Sequence, residues 1–254
     1  MKPTMSRSIV AALMLSAIPA LADDVVSDSC NGVEKIPVCT SLIQSGQLKP
    51  DDLAAAYVNR SKAYNLNRQS DEAIADCNLA IKLKPDYAEA FFCRGEATLS
   101  KGDFDPSIQD FDQAIRLKPD FADAFVDRGI AYVLKRDFDR AIQDFDQAVK
   151  LKPDYADAFN DRGQSYAQKG DFDRAIKDFD QAINLKPDLA EAFMNRSYAF
   201  ANKGDYDRGN QDYEQAARLK PCLAKETPPP PRSWWEKEFG RMAVWEPGAC
   251  SRKP

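Results

Sequence analysis

The chain has 254 residues, of which 44% are apolar and 30% charged, with 35 basic and 40 acidic side chains and no histidine. The missing histidine excludes Ser-His-Asp and Cys-His catalysis and any zinc site with an imidazole ligand. The formal charge of −5 gives no positive field to attract a phosphate backbone, so nucleic acid is not expected as a partner.

Residues 1–22 read as a secretory leader. Lys2 and Arg7 form the basic start, Ile9 to Ile18 the apolar middle, and Ala20-Leu21-Ala22 the small-residue cleavage site before Asp23. Cleavage between Ala22 and Asp23 removes two bases and no acids, leaving 33 basic against 40 acidic side chains, a net −7. The apolar middle is too short to span a bilayer and no later run is longer, so the mature chain is expected to have no transmembrane segment. The expected location is periplasmic or secreted. An oxidising compartment makes all six cysteines candidates for disulfides: Cys30, Cys39, Cys77, Cys93, Cys222 and Cys250. The pairs suggested by position are Cys30–Cys39, Cys222–Cys250 and, as a weaker candidate, Cys77–Cys93; the other reading of any of them is a buried thiol.

Residues 23–53 carry Cys30, Cys39 and a short apolar run from Val38 to Ile43 that ends in Leu48-Lys49-Pro50. This segment looks like a degenerate half-repeat that caps the N-terminal end of a repeat array. From Ala54 the chain repeats every 34 residues, with Leu-Lys-Pro ending at Pro85, Pro119, Pro153, Pro187 and Pro221. Within each repeat the apolar and small residues recur at helical spacing in two stretches joined by Lys-Gly-Asp-Phe or a close variant, which predicts two amphipathic helices and a tight turn. Asp103, Asp137, Asp171 and Asp205 stand where they would cap the second helix.

The repeat resembles the tetratricopeptide repeat family. Position 4 of the repeat is Tyr57, Phe91, Phe125, Phe159 and Phe193; position 8 is Ser61, Gly95, Gly129, Gly163 and Ser197; position 27 is Ala80, Ala114, Ala148, Ala182 and Ala216. Five repeats are in register, at 54–87, 88–121, 122–155, 156–189 and 190–223. The resemblance implies an all-α tetratricopeptide solenoid, a right-handed superhelix of helix-turn-helix repeats with terminal capping helices. It also implies a concave groove at positions 2, 5, 6, 9, 12 and 13 that binds a peptide segment of a partner protein. The residues carried over to that groove are Phe92, Val126, Asp127, Ile130, Asn160, Asp161 and Met194. Its acidic wall predicts a basic or mixed apolar segment as the ligand. The Lys/Asn/Arg set with which some members clamp a terminal carboxylate is absent, since Asn59 and Lys62 alone do not make it.

Two strict columns depart from the family pattern: arginine at position 7 (Arg60, Arg94, Arg128, Arg162, Arg196) and aspartate at position 23 (Asp76, Asp110, Asp144, Asp178, Asp212). Opposite signs in register predict bidentate ion pairs between helices, with an anion site along the arginines as the other reading. The many aspartates lack the alternating ligands and closing glutamate of a calcium loop, so no metal site is assigned.

Residues 224–254 hold a four-proline spacer and then a Trp-containing segment, Ser233 to Trp245, with Trp235, Phe239 and Met242 at helical spacing. It reads as a capping helix, with a membrane-surface helix or docking peptide as the other readings. The sequence therefore predicts a non-enzymatic, exported scaffold for protein partners that needs no cofactor and has no catalytic residues. The other functional reading is a cell-envelope or peptidoglycan-associated factor that uses the Trp-rich tail on the envelope surface.

Overall fold

A computed structural model describes residues 32–222. The leader and its cleavage site, Cys30, Cys250 and the spacer and Trp-containing segment of 224–254 lie outside the described residues. Those described form eleven α-helices and no strand. They are α1 (Ile36–Gln44), α2 (Pro50–Leu66), α3 (Ser70–Leu83), α4 (Ala88–Lys101), α5 (Phe104–Leu117), α6 (Ala122–Leu134), α7 (Phe138–Leu151), α8 (Ala156–Gln168), α9 (Phe172–Leu185), α10 (Ala190–Asn202) and α11 (Tyr206–Leu219). They divide into two compact units at Pro106/Ser107. The first holds α1 to α4, with each helix packed on the next; the second holds three complete helix pairs, α6 with α7, α8 with α9 and α10 with α11. Among the described residues no helix is long and apolar enough to cross a membrane.

The local sequence explains the helix ends. The side chains of Asp137, Asp171 and Asp205 accept from the backbone N–H groups of Arg140, Arg174 and Arg208 at 3.1–3.2 Å, as N-cap residues do. The turn before each of these aspartates needs a left-handed residue, and Gly170 and Gly204 supply it with φ of 80° and 81°. Arg136 holds the same conformation at φ 61°, without a glycine's freedom. Pro50, expected to close the half-repeat, instead opens α2, where its fixed φ suits the first helical position.

Small residues at position 8 let the paired helices approach. A Cβ on Gly129 would lie 2.7 Å from Phe145, and one on Gly163 would lie 2.7 Å from Phe179 and 3.2 Å from the Ala175 carbonyl. Phe145 and Phe179 are fully buried. The first repeat solves the same crossing differently: Ser61 occupies position 8 and Cys77 replaces the aromatic at position 24. The Cys77 thiol donates to Ser61 Oγ at 3.2 Å, and Cys93 Sγ lies 2.6 Å from that oxygen.

This arrangement corrects one expected disulfide. Cys77 and Cys93 are free thiols, fully buried among Ala54, Val58, Ala80 and Ala90. They share the Ser61 hydroxyl and form no disulfide. Hydrogen bonding with Cys93 and then burial push the Cys77 thiol far above its ordinary pKa, so it packs as an inert small hydrophobe. The partners expected for Cys39 and Cys222, Cys30 and Cys250, lie outside the described residues.

Candidate peptide-binding groove

The first helices of successive repeats lie side by side within each compact unit. In the second unit α8 touches both α6 and α10, so these three helices form one continuous face. On it, Asp127 and Ile130 of α6 and Asp161 of α8 are half-buried, as is Phe92 on α4 of the first unit. Leu134, at the C-terminal end of α6, is 51% exposed.

Three residues expected on the groove surface lie beneath it instead. Val126 is 5% exposed, Asn160 7% and Met194 0%. Position 5 of one repeat meets position 6 of the next, 35 residues on: Cys93 Sγ approaches the Val58 carbonyl at 3.8 Å, and Asn195 Nδ2 donates to Asn160 Oδ1 at 3.0 Å. Position 5 is therefore largely a seam between first helices, and its residues shape the floor. Met194 has no following first helix among the described residues, yet it is buried with Tyr198, Tyr213 and Ala216.

The floor is polar at α8 and α10. Asn160 Nδ2 donates to Asp161 Oδ1 at 3.2 Å while Asn160 Oδ1 accepts from Asn195. Asn195 is 2% exposed, and its Oδ1 has no hydrogen-bond partner. Desolvation raises the Asp161 carboxyl to about 7, with Asp157 adding to the effect and the Asn160 hydrogen bond opposing it. Beside this group, burial and a hydrogen bond to Asp123 raise the Tyr155 hydroxyl, with Asp127 and Asp157 adding to the effect. Asn195 and Tyr155 were not among the groove residues expected from the sequence. Asn195 occupies the position of Asp127 and Asp161 in the last repeat, which was the available signal.

The arginine column is structural. Arg162 grips Asp178 through Nε and Nη2 at 2.8 and 2.6 Å and reaches Asp146 of the preceding repeat through Nη1 at 2.7 Å. Arg128 and Arg196 repeat the pattern with Asp144 and Asp112, and with Asp212 and Asp180. In the first unit Arg60 grips Asp76 and turns Nη1 to Thr40 of α1 at 3.0 Å, so α1 stands where a preceding second helix would. Each arginine also lies over its own position-4 ring, 5.3–5.6 Å from the centroid. The four column arginines Arg60, Arg128, Arg162 and Arg196 are thus engaged with aspartates of the fold, which leaves no free cationic stripe there for an anion.

Comparison with curated proteins finds no match. Solved structures do match. MamA is 24% identical with a TM-score of 0.58, over 65% of this chain and 96% of that one. YrrB, described as a TPR protein with an unusual peptide-binding site, is 22% identical with a TM-score of 0.57, over 75% of this chain and 97% of that one. TTC0263 of Thermus thermophilus, a thermophilic TPR protein, is 20% identical with a TM-score of 0.58, over 68% and 96%. At these identities the likeness concerns the fold. Tetratricopeptide repeat family models match residues 54–87, 94–158, 128–192 and 190–221, which together cover most of the chain. With the helix pairs, the small-residue crossings and the register of the repeats, these matches make the chain a member of the tetratricopeptide repeat family.

Proposed function

We propose that this protein is a non-enzymatic interaction scaffold, exported by its leader, that binds an extended or helical segment of a partner protein on the face of α6, α8 and α10. The observation that carries this reading is the composition of the face. Asp123, Asp127, Asp157 and Asp161 share the first helices α6 and α8 with half-buried Ile130 and exposed Leu134, while Val126 and Met194 are buried. Such a surface favours a segment with basic and apolar side chains, and charge complementarity would govern its encounter rate and selectivity. YrrB, described as having a peptide-binding site, offers a parallel on the same fold.

The test is a fluorescence-anisotropy screen of basic-apolar peptides against the mature chain. The reading expects binding that weakens as salt rises and falls at least tenfold in Asp127→Lys/Asp161→Lys. Peptides that bind the double variant as well as the native chain would place the ligand elsewhere.

A further inference from the structure

The carboxylate of Asp161 differs from the other recurrent aspartates of the second unit. Asp144, Asp178 and Asp212 each hold an arginine fork, and Asp137, Asp171 and Asp205 each cap a helix and hold an arginine. Asp161 instead meets a neutral amide, and that amide leads to a second one. A carboxylate only accepts, so Asn160 must turn its NH2 towards Asp161. Asn160 Oδ1 is then left to accept from Asn195 Nδ2. This chain of bonds fixes Asn195 Oδ1 as an acceptor, and that atom is buried without a donor. A buried acceptor without a donor is costly. The group thus ends in two acceptors, one of them ionisable, and has no cation.

We propose that Asp161, Asn160 and Asn195 form a seat for one lysine or arginine side chain of the segment bound in the groove. This rests on the groove reading and names the chemistry the segment must bring. An ammonium or guanidinium carries only donors, the complement of a group that ends in acceptors.

The surroundings favour a cation. Asp157 lies on the same helix, Asp123 and Asp127 lie on α6, and Glu191 lies on α10. The nearby basic groups are already engaged: Lys186 with Asp157 at 3.7 Å, Lys220 with Glu191 at 2.7 Å, Lys152 over the Tyr155 ring, and Arg128, Arg162 and Arg196 in the column. Because desolvation holds the Asp161 carboxyl near 7, a cation binds best after the proton has left, and its arrival lowers that value. Binding therefore strengthens as pH rises through neutrality.

The probe is hexalysine, with fully acetylated hexalysine as the neutral control, titrated against the mature chain at constant ionic strength. With a carboxyl titrating at about 7, the ionised fraction rises from roughly one eleventh at pH 6 to ten elevenths at pH 8, so affinity for hexalysine should rise about tenfold. Asp161→Asn should bind at least tenfold more weakly at pH 8 and lose the pH dependence, and Asn195→Leu should weaken binding at both pH values. As a second readout, the carboxyl carbon shift of Asp161 should titrate at lower pH when hexalysine is present. Wild-type binding that ignores pH, or an Asp161→Asn variant that binds as well as wild type, overturns the seat and leaves the groove standing. No hexalysine binding at all also overturns the seat, while the basic-apolar peptide screen decides the groove.

Discussion

Replacing Gly163 by serine tests how the paired helices are held together. Its new Cβ would lie 2.7 and 2.9 Å from Cε1 and Cδ1 of Phe179 and 3.2 Å from the Ala175 carbonyl oxygen. The ring is fully buried and the carbonyl belongs to a helix, so neither moves cheaply. Overpacking of this kind costs about 1–3 kcal/mol. Serine's better helix propensity offsets roughly 0.5 kcal/mol of that. The first repeat shows one way to accommodate a serine here, since Ser61 faces Cys77 instead of a phenylalanine; the last repeat keeps Tyr213 but places Gly209 against Ser197. The double variant Gly163→Ser/Phe179→Cys copies that pair. Phe179→Cys alone should cost about 3–5 kcal/mol through its cavity. Once the ring is gone, adding Gly163→Ser should cost almost nothing more, a favourable coupling of about 1–3 kcal/mol in a double-mutant cycle. Urea midpoints of the four proteins measure it. A Gly163→Ser variant as stable as wild type, or a cycle with no coupling, would refute the claim that the position-8 to position-24 contact sets the helix spacing.

Other outcomes rest on named contacts. Arg162→Ala leaves Asp178 and Asp146 without their shared cation and should cost about 3–5 kcal/mol in a thermal or urea melt; retained stability would sink the structural reading of the column. Burial raises the folded-state pKa of Asp161 to about 7 from an ordinary 3.8, so the ionised form opposes folding and stability is lost as pH climbs from about 4 through about 7, by at most roughly 4 kcal/mol; Asp161→Asn should flatten that slope in urea melts across this range. Arg136→Gly relieves a left-handed arginine and should stabilise by up to about 1 kcal/mol, seen as a higher melting midpoint. All three tryptophans, Trp234, Trp235 and Trp245, lie beyond the described residues, and Met194 and Tyr198 are 0% and 6% exposed although no described helix follows α11. If the Trp-containing segment covers them, Tyr198→Glu should shift tryptophan emission to the red; unchanged emission places that segment elsewhere.

The helix pairs were legible because their signal repeats. A 34-residue period, small residues at fixed positions and a proline after each pair determine where helices begin, cross and end. The arginine and aspartate columns were legible for the same reason, and the structure adds the aspartates at position 25 as second ligands. What escaped prediction depends on contacts between neighbouring repeats, which a pattern within one repeat does not contain. Periodicity places Val126, Asn160 and Met194 on a first helix. Only the 35-residue step shows that position 5 forms a seam with the next repeat. The Cys77–Cys93 pair failed likewise: sequence shows two cysteines 16 residues apart, but not that Ser61 sits between them as a shared partner.

The same contrast separates scaffold from site. Residues that recur in register are consumed by the fold: the forks of Arg60, Arg128, Arg162 and Arg196, the caps of Asp137, Asp171 and Asp205 and the crossings at Gly129 and Gly163 all have partners. Those that change from repeat to repeat at position 6 run Asn59, Cys93, Asp127, Asp161, Asn195, and two of them show how much the seam varies: Cys93 meets Val58, whereas Asn195 meets Asn160. Where Val58 faces Cys93 the seam is apolar and closed. Where Asn160 faces Asn195 beside Asp161, the polar atoms exceed the partners the chain provides, and an acceptor is left over. A solenoid built from uniform repeats has no reason to keep such an excess in its floor. A ligand that brings donors gives it one, which makes the irregular column, and not the regular ones, the place to seek the partner.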